Sequence, residues 1–118
     1  MIGKKLWVIP DGHMNSTKNG NFVSHEAVCV LNLTDEDAFI EFEIYFEDKN
    51  PVTGYNAVCK SKRTNHIRLD KITDNNNNHI PFDTPYSLLV KSNVPVIVQH
   101  SRMDVTQKEM ALMTTIAY

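Results

Sequence analysis

The chain is poor in the residues that mark the commonest site chemistries. Its 118 residues include two cysteines, four glycines and one tryptophan. No C-x-x-C or H-x-x-x-H spacing occurs, so neither a zinc centre nor any other metal site is expected. The four glycines form no phosphate-cradling loop and no G-x-S-x-G elbow, and no catalytic residues are assigned. No apolar run approaches the roughly 18 residues of a membrane helix. The N-terminal MIGKKLWVIPDGH carries a basic pair but too short an apolar stretch for a secretory signal. Neither charge sign dominates: 12 Lys and Arg stand against 14 Asp and Glu, a net charge of −2, which gives no global pull toward nucleic acid or anionic lipid. The expectation is one soluble, cytoplasmic domain over residues 1–118, without a cofactor. Cys29 and Cys59 lie in apolar runs and read as reduced core residues.

What the chain has in abundance is short segments rich in Val, Ile, Phe and Tyr. Turn signals separate them about every ten residues: PDG at 10–12, NGN at 19–21, TDED at 34–37, DKNPVTG at 48–54, DNNNN at 74–78 and SNVP at 92–95. That rhythm predicts an all-β fold, a single-domain antiparallel β-sandwich of jelly-roll-like form. Strands are expected at 4–9, 25–33, 37–48, 64–70, 86–91, 95–103 and 112–118, with a turn or short helix near 105–109. The clearest is DAFIEFEIYFED. Ala38, Ile40, Phe42, Ile44 and Phe46 share one face and Glu41, Glu43 and Glu47 the other. Reversal at DKNPVTG would set Glu43 opposite Lys60 and Glu41 opposite Lys62. Asp35, Glu36, Asp37, Glu41, Glu43, Glu47 and Asp48 make up half of the acids and read mostly as a solvated face.

Three polar clusters interrupt this pattern: Ser24–Glu26, Lys62–Asp70 and Gln99–Asp104. In VPVIVQHSRMD a core-like strand runs into polar residues with no turn between. Strand parity puts His100 and Arg102 on the face of Val96 and Val98, while Gln99, Ser101 and Met103 share the face of Ile97. A His and an Arg in one row can bind a carboxylate, a phosphate or hydroxyl groups. The plainer alternative is that Arg102 pairs with Glu26 or Asp104. Ser101 points away from His100, which argues against nucleophilic catalysis, and no enzyme activity is expected. Lys60, Lys62, Arg63, Arg68 and Lys71 crowd residues 60–71 against Asp70 alone, the one argument for DNA binding. Trp7 reads as a core or interface aromatic before a stacking platform.

Together the stretches FVSHEAVCVLN (22–32), DEDAFIEFEIYFEDKNPV (35–52), RTNHIRLD (63–70), IPFDTPYS (80–87), SNVPVIVQHSRMD (92–104) and TTIAY (114–118) resemble the sensory rhodopsin transducer family. The likeness spans nearly the whole chain in order. It implies a small β-sandwich that assembles as a homotetramer. It also implies coupling to a membrane receptor of rhodopsin type, and a module that binds a small polar ligand such as a sugar or related metabolite. DNA contact is the alternative it leaves. Carried over by motif position, Trp7, His25, Glu26, Arg63, His66, Arg68, Gln99, His100 and Arg102 become the pocket candidates. His25, Glu26, His66, Arg68, Gln99, His100 and Arg102 are expected to converge on one site. The loops DGHMNSTKNGN (11–21) and DNNNN match no part of the family pattern.

Overall fold

A computed structural model describes residues 2–118. Nine strands follow one another without a helix among the described residues: β1 (Lys4–Gly12), β2 (Lys18–Asn19), β3 (Phe22–Val23), β4 (His25–Asn32), β5 (Ala38–Phe46), β6 (Val52–Cys59), β7 (Arg63–Arg68), β8 (Tyr86–Asp104) and β9 (Ala111–Ile116). The main sheet runs β6-β5-β8-β4-β7, with β1 and β9 also on β8, and β2 and β3 make a small hairpin. Every pairing is antiparallel. The fold is all-β and antiparallel, as the alternating strands and frequent turns predict, and its sheet curls into a half-barrel.

The curl depends on β8, whose 19 residues serve two neighbourhoods. Tyr86–Ser92 pair with β5, and Tyr86–Lys91 with β1. Ile97–Met103 pair with β4, and Gln99–Asp104 with β9. The turn expected at SNVP does not form, because Pro95 falls in the interval where these partners change. A residue without an N–H costs the ladder nothing there. Asn93 fastens the same interval from its side chain, accepting from the Phe39 amide (2.7 Å) and donating to the Asp37 carbonyl (3.3 Å).

The core fills the concave side. Even-numbered β8 residues from Leu88 to Val98 point inward, where Val90, Val96 and Val98 meet Val28, Val30, Ile40, Phe42 and Ile44. Trp7 is part of this core, its indole N–H donating to the carbonyls of Lys4 and Val96 at 3.0 Å each.

Two expectations about side chains are corrected. Glu43 pairs with Lys91 on β8, not with Lys60. The β5–β6 register sets Ala38 against Cys59 and Glu41 against Asn56, so Lys60 and Lys62 fall beyond the end of β6. There they approach Asp37 (3.8 Å) and Asp35 (3.6 Å). Both cysteines are free, but only Cys59 is buried; Cys29 has the outward parity of β4 and is half-buried.

Gly12 closes β1 opposite Tyr86, and a Cβ built there would lie 2.5 Å from the tyrosine ring. Gly12→Ala should therefore push the ring aside and lower unfolding stability by about 1–3 kcal/mol, the usual cost of overpacking, as read by urea denaturation.

Candidate functional site

Glu26 is the second residue of β4 and shares the inward parity of Val28 and Val30, so its carboxylate enters the concave side. It is fully buried. Such a group must be hydrogen-bonded to persist. The register places Glu26 opposite Arg102 and Val28 opposite His100, so acid, imidazole and guanidinium are cross-strand neighbours on one face. Oε1 accepts from His100 Nε2 (3.0 Å) and, over a short bond, from the Tyr86 hydroxyl. Oε2 accepts from Arg102 Nε (2.7 Å) and from the His13 backbone amide (2.8 Å). Arg102 also reaches Asp11, donating from Nη2 to its carboxylate (3.2 Å) and its carbonyl (3.3 Å).

A cavity of about 310 Å³ adjoins this cluster. Its walls come from β1 (Val8–Asp11) and from the end of the chain (Met113, Thr115–Tyr118), with His100 and Arg102 between them. The terminal segment is tied down by Ala117 N–H to the Val98 carbonyl (3.1 Å) and by reciprocal backbone bonds between Val8 and Tyr118 (2.8 and 3.0 Å). The Lys4 ammonium adds a tie, lying 4.3 Å from the Trp7 ring centroid and 5.2 Å from that of Tyr118. A small concave space with mostly apolar walls and a few convergent polar groups is the usual form of a small-molecule site. Among the described residues, no group of three or more His, Cys, Asp or Glu side chains is arranged to hold a metal.

The family model described as Anabaena sensory rhodopsin transducer matches residues 2–118. The chain belongs to that family. Among solved structures, the Anabaena sensory rhodopsin transducer itself is 42% identical, with a TM-score of 0.77 over 92% of this chain and 95% of its own. The crystal structure of Thermotoga maritima 1070 is also 42% identical, with a TM-score of 0.89 over 100% of this chain and 96% of its own. The comparison with curated proteins found no match.

In this transducer-family chain the residues singled out by sequence do not gather in one place. Glu26, His100 and Arg102 meet on the inner face. His25, His66, Arg68 and Gln99 lie on the outer face, because their parity on β4, β7 and β8 is the opposite one. Cys29 sits between His66 and Gln99, and Ala27 between Arg68 and Ser101. The single convergent site is therefore corrected to two faces of one sheet. Arg68 is held by Asp70 through two 2.8 Å bonds, and His25 Nδ1 lies 3.1 Å from the Val23 carbonyl. Arg63 is exposed at the start of β7, with Nη1 on the Lys62 carbonyl (3.1 Å). Trp7 does not line the cavity.

Sequence reasoning missed Tyr86, Asp11, His13 and the terminal wall. Tyr86 had a readable signal, since it shares the even parity of Val90, Val98 and His100 along β8. Asp11 and His13 had none: Asp11 lies where the β1 register shifts between Ile9 and Gly12, and His13 follows the end of the strand.

Burial opposes ionisation of Glu26. The hydrogen bonds from His100, Tyr86, the His13 amide and Arg102 outweigh it and hold the carboxyl below its ordinary range. Burial, and then the Glu26 charge, pushes the Tyr86 phenol far up, so it stays a donor. A depressed carboxyl stabilises the fold above its unfolded value, about 4.3 for Glu, and that stability is lost as pH falls through the lower folded value. Glu26→Gln should cost about 3 kcal/mol at pH 7, because Arg102 loses its buried partner. It should also flatten the fall in stability between pH 5 and pH 3, as measured by urea denaturation at each pH.

Proposed function

We infer that this chain is a soluble, non-enzymatic signal-relay protein whose inner-face cavity takes a small polar ligand, such as a sugar or related metabolite. The observation that carries this reading is the buried Glu26 carboxylate, which holds His100 and Arg102 in fixed positions at the cavity. Side chains fixed this way meet a ligand without further ordering cost. A nucleophile is not part of the cluster, since Ser101 lies on the outer face. Family membership supports a signalling role, and a membrane receptor of rhodopsin type is its partner in this reading. DNA binding gains no support from the basic segment: Lys60, Lys62 and Arg68 lie beside Asp37, Asp35 and Asp70.

Self-association, as a homotetramer, belongs to the same reading. Leu112, Ile116 and Tyr118 are 75%, 62% and 85% exposed, and Leu6 and Val8 on the adjoining β1 are exposed as well. An edge strand with this much uncovered apolar surface is normally protected by a neighbour.

Thermal denaturation against a panel of sugars and organic acids tests the ligand reading. A true ligand raises the melting temperature progressively with concentration, and Arg102→Ala abolishes that rise. A flat response across the panel removes the reading. Sedimentation at micromolar concentration should find an assembly larger than one chain; monomer alone would overturn the second part.

A further inference from the structure

The bond between Glu26 and His100 fixes more than a ring orientation. An ionised carboxylate can only accept, so His100 Nε2 carries the proton. In the neutral imidazole the other nitrogen, Nδ1, is then an acceptor. Arg102 commits Nε to Glu26 and Nη2 to Asp11. Among the described residues, neither His100 Nδ1 nor Arg102 Nη1 makes a hydrogen bond, yet no buried side-chain nitrogen or oxygen lacks a partner. Neither atom is therefore fully buried, and both belong to residues that line the cavity. Beside the Asp11 carboxylate and the Thr115 hydroxyl, which also line the cavity, His100 and Arg102 add an acceptor and a donor two residues apart on the same face of β8.

That pair discriminates between ligand classes. A carboxylate has no proton to give Nδ1. The side-on face of the guanidinium is taken, because Nε and Nη2 are occupied, so a carboxylate could bind two-pronged only end-on, by sharing Nη2 with Asp11. It also adds a third negative charge beside Glu26 and Asp11, against one guanidinium. A hydroxyl both donates and accepts and brings no charge. The walls supplied by Val8, Ile9, Met113 and Ile116 suit a C–H frame behind such hydroxyls. We propose that the ligand is an uncharged, hydroxyl-bearing molecule on an apolar frame, and that Glu26 acts as a positioning residue that disfavours carboxylates by fixing the His100 tautomer. This rests on the reading of the cavity as a ligand site.

The test uses the isotope-labelled full chain at pH 8. Long-range proton–nitrogen spectra should show His100 protonated at Nε2; a ring protonated at Nδ1 overturns the role given to Glu26. Titration with cyclohexane-1,2-diol should shift the amides of Val8 and Thr115–Tyr118. It should bind at least about tenfold more tightly than cyclohexanecarboxylate, as expected where a site hydrogen-bonds a hydroxyl. A carboxylate that binds as well as the diol overturns the ligand class and leaves the cavity a ligand site. If neither probe moves those amides, the cavity reading falls with it. Glu26→Gln, whose amide can accept from or donate to the ring, should narrow the diol preference. Should that variant not fold, the wild-type tautomer and the probe ratio decide the matter alone.

Discussion

The buried carboxylate of Glu26 is the constraint around which this fold is arranged. Taking an ionised carboxyl out of water costs several kcal/mol unless donors replace the lost hydration. Here the donors come from segments far apart in sequence: the loop after β1 through His13, the start of β8 through Tyr86, and its end through His100 and Arg102. Tyr86 and Arg102 sit at opposite ends of one strand. Both can reach the same side chain only if the sheet curls. The half-barrel and the satisfied carboxylate are thus two descriptions of one geometric requirement.

Strand β8 converts that requirement into a continuous path. Its inward row passes from Tyr86 through Leu88, Val90, Val94, Val96 and Val98 to His100 and Arg102 without a break in parity. Core and site share one pleat. The apolar members exclude water, which strengthens the hydrogen bonds at the polar ends. Those polar ends fix the register, because a slip of one residue would turn every side chain to the other face. This answers why an apolar strand runs straight into a polar cluster: the cluster lines the open end of the same hollow.

Alternation made part of this legible in sequence. The opposed faces of Ile40 and Glu41, and of His100 and Ser101, follow from a period of two and need no partner. Pairing register does not follow from it. Lys60 was expected opposite Glu43, but the β5–β6 connection is tight enough to move the lysine past the strand end. The same limit governs the site. Parity alone separates His66 from Ile67 yet says nothing about whether β7 and β8 present like faces to one another. Both pair with β4, and the register with β4 decides the matter: His66 and Gln99 flank Cys29 on the outside, while His100 stands beside Val28 within. The chain end was illegible as a cavity wall for a different reason. Its backbone bonds to Val8 join residues more than a hundred positions apart, and nothing local encodes them.

The same wall links the cavity to the surface of the molecule. Among the described residues, strand β9 is exposed on both faces and pairs with β8 alone, while the segment beyond it holds to β1 through Tyr118. Few buried contacts and solvent-exposed backbone bonds mark the low-stability end of a fold. Ile116 and Tyr118 nevertheless belong to the cavity lining and to the uncovered apolar edge at once. A molecule seated against His100 and Arg102 must touch this segment from inside, and a neighbouring subunit covering the edge must touch it from outside. In the reading proposed for this chain, ligand and neighbour share this one segment.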